Sequence, residues 1–91
     1  MLFRSHGRLV FGAGNHTGDV YEGQFFQGEF HGQGIYFYAN GDRFEGSFRF
    51  GLKNGPGVLH LHDGDRVPGR WRNDQLVAEV GTSQIFLMGL S

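Results

Sequence analysis

Two stretches of the chain alternate with the period of a half-buried strand. In Phe44-Glu45-Gly46-Ser47-Phe48 and Val67-Pro68-Gly69-Arg70-Trp71, apolar residues and glycines take every second position. Residues 21–72 hold a Gly or Pro every few positions, and each costs a helix interior about 1 kcal/mol for Gly or about 3 kcal/mol for Pro. Helix is excluded there. Asn40-Gly41 and Asp63-Gly64 are strong hairpin-turn pairs. The pattern predicts an all-β chain of short antiparallel strands.

Turn length decides which side chains share a face. A two-residue loop at Asn40-Gly41 pairs Ala39 with Asp42 and Phe37 with Phe44, which sends Tyr36 and Tyr38 to the opposite side. A three-residue loop of Asn40-Gly41-Asp42 pairs Ala39 with Arg43 and puts Tyr36, Tyr38, Phe44 and Phe48 on one face. Farther along the chain, Leu59 and Leu61 stay apolar where Tyr36 and Tyr38 stand, whereas His60 replaces Phe37. That favours the three-residue loop, with Gly41 and Gly64 at positive φ. Gly23, Gly46 and Gly69 then fall on the aromatic face and leave room for rings to lie flat across the sheet.

The alternation repeats. Shifting the sequence by 23 residues lays Tyr21 to Arg43 on Phe44 to Arg66, with nine of the 23 positions identical. A third copy starts at Val67 and keeps Gly69 and Trp71, but Asp74 replaces the turn glycine. Gly18-Asp19 stands where Gly41-Asp42 stands, and His6-Gly7 matches His31-Gly32 once two residues are inserted. The organisation read from this is a degenerate N-terminal repeat or cap (1–20), full repeats at 21–43 and 44–66, a partial repeat at 67–76, and an apolar C-terminal tail or cap (77–91). Fixed periodicity of this length marks a stacked architecture whose units do not bury their apolar face alone. Pro68 cannot donate to a ladder, so its strand belongs at or near a sheet edge.

Composition narrows the function. A chain of 91 residues buries only about 60 to 65% of the surface its unfolded form exposes, so its stability is marginal without a partner. It has no cysteine, and nothing points to an oxidising compartment. A cytoplasmic protein is expected. The net charge of -1 lacks the basic footprint of nucleic-acid binding. The longest apolar run near the start, Leu9-Val10-Phe11, is too short for a signal-peptide core. Gly7, Gly12 and Gly14 disfavour an amphipathic transit helix. Seventeen glycines beside 10 Phe, 3 Tyr and 1 Trp fit strands joined by tight turns.

Tyr21-Glu22-Gly23-Gln24-Phe25, followed by Gly28, His31-Gly32-x-Gly34 and Asn40-Gly41, resembles the MORN (membrane occupation and recognition nexus) repeat. The resemblance covers residues 18–72 well, residues 6–17 loosely, and the tail from Asp74 not at all. It implies a meandering antiparallel sheet of stacked hairpins, elongated and slightly curved, with a groove lined by the repeat aromatics. It further implies a non-catalytic scaffold or adaptor that binds a protein partner as a subunit of a cytoskeletal, ciliary or flagellar assembly. The alternatives it carries are a peripheral membrane (phosphoinositide) module and a regulatory arm of a larger enzyme. Small stand-alone members of the family resemble adaptors that hold a peptide or helix in the groove.

The candidate groove residues are Tyr21, Phe25, Tyr36, Tyr38, Phe44, Phe48, Leu59, Leu61 and Trp71. They read either as plain core or as a docking stripe, since a single sheet has no long element to cover them. The repeat turn glycines are Gly28, Gly32, Gly34, Gly41, Gly51, Gly55, Gly57 and Gly64. His60 and His62 fall two apart on one strand face, but by sequence spacing no Asp/Glu/His set converges with them to hold a metal. His31 falls in a hairpin turn. Gly28-x-x-x-Gly32-x-Gly34 lacks the Lys-Ser/Thr and the following helix of a phosphate loop. Glu22 and Glu45 recur with Arg43 and Arg66 and are placed to pair across the outer face, where exposed pairs contribute about 0 to 1 kcal/mol each. A thin open sheet offers no pocket for paired-carboxylate hydrolysis, so neither catalytic residue nor cofactor is expected. With only 8 Lys and Arg against 9 acids, anionic lipid gains little attraction. Ile85-Phe86-Leu87-Met88 in the tail reads as a cap or as a segment offered to a neighbour, and the sheet edges give a route to homo-oligomers.

Overall fold

A computed structural model describes residues 5–79. It is one open sheet in which each strand pairs antiparallel with the next: β1 (Ser5–Val10), β2 (Val20–Phe26), β3 (Glu29–Phe37), β4 (Arg43–Arg49), β5 (Leu52–His60), β6 (Arg66–Arg72) and β7 (Gln75–Glu79). A single 3₁₀ turn, Gly14–His16, lies between β1 and β2. Extents of 43 × 36 × 18 Å are those of a slab one sheet thick plus its side chains, and the all-β meander expected from the sequence is borne out.

The 23-residue period is carried into the pairing. Tyr21 faces Tyr36 and Phe25 faces Phe30, just as Phe44 faces Leu59 and Phe48 faces Lys53. Each first strand meets its second strand through a bulge: from Gly23/Gly34 to Phe25/Phe30 the pairing advances two residues on β2 but four on β3. The extra residues fit because Gly32 takes φ 89° there, as Gly55 takes 107° in β5. So Gly32, Gly34, Gly55 and Gly57, assigned to turns from the sequence, lie inside β3 and β5. His31 lies in β3 as well. Gly28 and Gly51 do close turns, at φ 80° and 86°, each preceded by a residue also at positive φ, Gln27 and Phe50.

The loop between β3 and β4 has three residues, but they are Ala39-Asn40-Gly41, one position earlier than expected. Tyr38 N–H donates to the Asp42 carbonyl (2.8 Å), Gly41 N–H donates to the Tyr38 carbonyl (3.0 Å), and Phe37 faces Arg43. The left-handed position of such a loop is its third, so Gly41, at φ 103°, must close it. A displacement of one residue at each end preserves strand parity, and Tyr36, Tyr38, Phe44 and Phe48 share the face the sequence assigned them. Tyr36 stands directly opposite Phe44.

Neighbouring hairpins are tied at both ends. At one end Asp19 accepts the Ala39 N–H and Asp42 accepts the His62 N–H, both at 2.8 Å and 23 residues apart. At the other, Gly51 N–H donates to the Phe30 carbonyl (2.9 Å) and Asp74 N–H donates to the Lys53 carbonyl (3.0 Å). Asp74 therefore does the work of the turn glycine it replaces, at φ 72°, and also accepts the Lys53 N–H (2.7 Å).

β6 lies one strand from the end of the described sheet, and its pairing with β7 begins at Gly69, past Pro68. Val77 to Glu79, read as the start of the tail, are in β7, while Ile85 to Met88 lie outside the described residues. The expected Glu–Arg pairs do not form among the described residues. The register sets Glu22 and Glu45 opposite Ile35, and Arg43 opposite Phe37 and His60; the contact of Glu45 is instead His60, at 3.6 Å.

Candidate functional site: the aromatic face

Flat rings need bare backbone beneath them. Tyr21 and Phe44, both fully buried, extend from β2 and β4 over the next strand, where a Cβ on Gly34 or Gly57 would overlap the ring. The Tyr21 hydroxyl donates to the Gln24 carbonyl at 2.8 Å, and burial pushes its pKa up to about 12. Gly23 and Gly46 complete the bed, whereas a Cβ on Gly69 would meet first the Ala78 carbonyl and the Leu76 side chain.

Around these two rings the face assembles edge to face. Phe25 and Phe48 meet Tyr21 at 5.2 and 5.1 Å, and Phe48 and Trp71 meet Phe44 at 5.4 and 4.8 Å. Phe30 stacks on Tyr21, with centroids 3.8 Å apart and planes 12° apart. Such pairs contribute about 0.5–1.5 kcal/mol beyond their buried area. Of the nine candidate groove residues, Tyr21, Phe44, Phe48 and Trp71 are buried core, and Phe25, Tyr36, Tyr38 and Leu59 are partly buried against it. Leu61 is in the loop after β5, apart from that cluster.

The accessible part is a depression of about 350 Å³ whose rim includes Phe11, Phe30, Tyr36, Tyr38, Lys53 and Asp74. Four of these, Phe11, Phe30, Lys53 and Asp74, were missed as groove residues from the sequence alone. Phe11, in the degenerate first unit, reaches the face from the loop after β1 and packs on Tyr36 (5.9 Å) and Phe30 (6.3 Å). Phe30 follows a turn glycine and has no aromatic counterpart 23 residues on. That counterpart is Lys53, whose ammonium lies 5.5 Å over the Phe44 ring and 5.4 Å over Tyr38, with Asp74 at 3.9 Å. The depression is thus apolar along one side and charged at one end.

Tyr36 is fixed by a neighbour that sequence reasoning left without a role. Its hydroxyl donates to the buried Asp19 at 2.8 Å; burial and this carboxylate hold the phenol well above its ordinary pKa. His62 lies in a loop and not beside His60 on a strand, and its ring meets Asp42 at 2.8 Å. Among the described residues no cluster of three or more His, Asp or Glu side chains is arranged to hold a metal, and no helix is long and apolar enough to cross a membrane.

The family model of the MORN repeat matches residues 21–43 and 44–66, together just over half of the chain. No curated protein matches the chain.

Proposed function

The chain belongs to the MORN repeat family, whose repeats are known from scaffolds that interact with proteins or membranes, and on that premise we propose that it is a non-catalytic adaptor whose aromatic face receives a protein partner. The observation that carries this reading is the open depression itself. Phe11, Phe30, Tyr36 and Tyr38 present rings at its rim above a core of four buried aromatic residues, so a partner gains a preformed apolar bed without ordering it on binding. Aromatic anchors in such beds dominate binding energy at protein interfaces. The partner segment presents large apolar side chains to the rings and a polar or charged group to Lys53 and Asp74. A cytoplasmic assembly of cytoskeletal or ciliary type is the setting that the family resemblance supports.

The test compares the native chain with Phe30→Asp, which places a charge beside Tyr21 at the rim. Each is isolated from native extract after circular dichroism and urea unfolding have confirmed the variant folds. A defined co-purifying chain that is lost with Phe30→Asp supports the reading. Identical companions for both forms contradict it.

A further inference from the structure

The side of the sheet opposite the rings carries a second surface. Along β4 and β6 the residues alternate, so that Phe44, Phe48 and Trp71 are buried on the aromatic face while Arg43, Arg49, Arg66, Arg70 and Arg72 are all exposed on the other. The register draws them together: Arg43 and Arg66 both face His60, one from each side, and Arg70 and Arg72 stand two residues apart on one strand. Across this side of β4 to β6 the one acid is Glu45, which is in contact with His60 at 3.6 Å. None of the five arginines forms an ion pair among the described residues. The chain's net charge of -1 conceals this field, because Asp42, Asp63 and Asp65 are placed in or beside the hairpin loops.

We propose that this arginine face binds an acidic polypeptide segment, independently of the aromatic groove on the other side. Three features select that ligand. All five cations are arginine, and the one lysine of the chain, Lys53, is on the opposite face; guanidinium forks match planar carboxylates two bonds at a time, which an ammonium does not. Alternate residues of an extended chain lie about 6.6 Å apart, so Arg70 and Arg72 match carboxylates at every second position of an extended partner. Glu45 interrupts the basic field beside Arg43, which a uniformly anionic bilayer would meet with repulsion and a peptide can pass by. Nucleic acid fits less well. Bases need exposed rings to stack on, and the most exposed ring beside these arginines, Phe50, has the Arg49 guanidinium over it at 5.9 Å. A sheet with an apolar groove on one side and an acid-binding face on the other can hold two partners at once.

The probe is a fluorescein-labelled oligoglutamate of about ten residues, long enough to span the strand at about 3.3 Å per residue. It is titrated with the purified full chain and read by anisotropy. Saturable binding is expected, weakening roughly tenfold or more between about 50 and 200 mM salt as the exposed charges are screened. The double variant R70E/R72E should weaken it by roughly tenfold or more, whereas R8E, at the far end of the same side, should not change it. If R70E/R72E does not fold, R43Q/R66Q replaces it with the same expectation. Absence of saturable binding overturns the proposal, as does equal binding by a folded arginine variant. Binding to phosphatidylserine vesicles or to a single-stranded oligonucleotide in place of the peptide also overturns it.

Discussion

The Phe44 ring lies flat against Gly57 of the neighbouring strand, so close that one added methyl group would overlap it. Tyr21 has the same relation to Gly34. The pair sets the spacing of the family pattern in physical terms: a large ring at the head of one strand requires a glycine on the next. Gly57→Ala should therefore destabilise the fold by about 1–3 kcal/mol through overpacking, read as a lower urea midpoint at unchanged slope. Gly12→Ala, where an added Cβ meets nothing within 4 Å, is the control. An unchanged midpoint for Gly57→Ala would mean the ring has another place to go.

Most of this fold was legible because its information is periodic. Strand parity together with a three-residue loop, chosen because Leu59 and Leu61 stay apolar where Tyr36 and Tyr38 stand, placed Tyr36, Tyr38, Phe44 and Phe48 on one face. The placement survived a loop misplaced by one residue because the expected and the observed loop both have three residues. What was not legible depends on breaks in the period. Phe11 reaches the site from a loop with no repeat counterpart, and Lys53 departs from Phe30 at the equivalent position. The inward bend of the chain at Gly32 and Gly55 looks in sequence like a turn, because a glycine at positive φ serves a bulge and a hairpin alike. The five arginines were visible as residues, but averaging over net charge hid their convergence on one side.

The turn between β2 and β3 is Gln27-Gly28, both at positive φ (52° and 80°). Gln27 is exposed and gains nothing from that conformation, which asparagine tolerates better. Gln27→Asn should raise stability by about 0.5–1 kcal/mol, seen as a higher melting temperature. A fall would show that Gln27 makes a contact that offsets its backbone cost.

Asp42 and His62 couple stability to pH in both directions. The His62 ring, then the His62 N–H, hold the Asp42 carboxyl below its ordinary 3.8, so its contribution is present above 3.8 and lost as pH falls through the lowered folded value. The hydrogen bond to Asp42 raises His62 above its ordinary 6.5, so that contribution is present below 6.5 and lost as pH rises through the raised folded value. The tie is strongest between those limits. Asp42→Asn should flatten the urea midpoint on both sides of this window; a variant profile parallel to the native one would remove the pair as its cause.

Tyr21 adds an alkaline limit. The unfolded chain ionises this phenol near 10.0, while burial delays it to about 12 in the folded state. The unfolded state thus loses protons first, and stability falls as pH rises from 10 towards 12. Tyr21→Phe removes this residue's share of the slope, leaving that of Tyr36, whose phenol is also held above its ordinary value, and, at neutral pH, costs about 0.5–1.5 kcal/mol for the lost bond to the Gln24 carbonyl. Urea midpoints at pH 9 and 11 for the two proteins check both parts.

Occupation of the aromatic face by another protein can be tested through the chain's one lysine, which stands in the depression. Amine-reactive crosslinking of the endogenous protein in native extract, followed by mass spectrometry, reports what lies beside Lys53. Recurrent Lys53 crosslinks to one or two other chains, which disappear with Phe30→Asp, are expected. Lys53 crosslinks confined to this chain itself, unchanged by that substitution, would contradict that occupation.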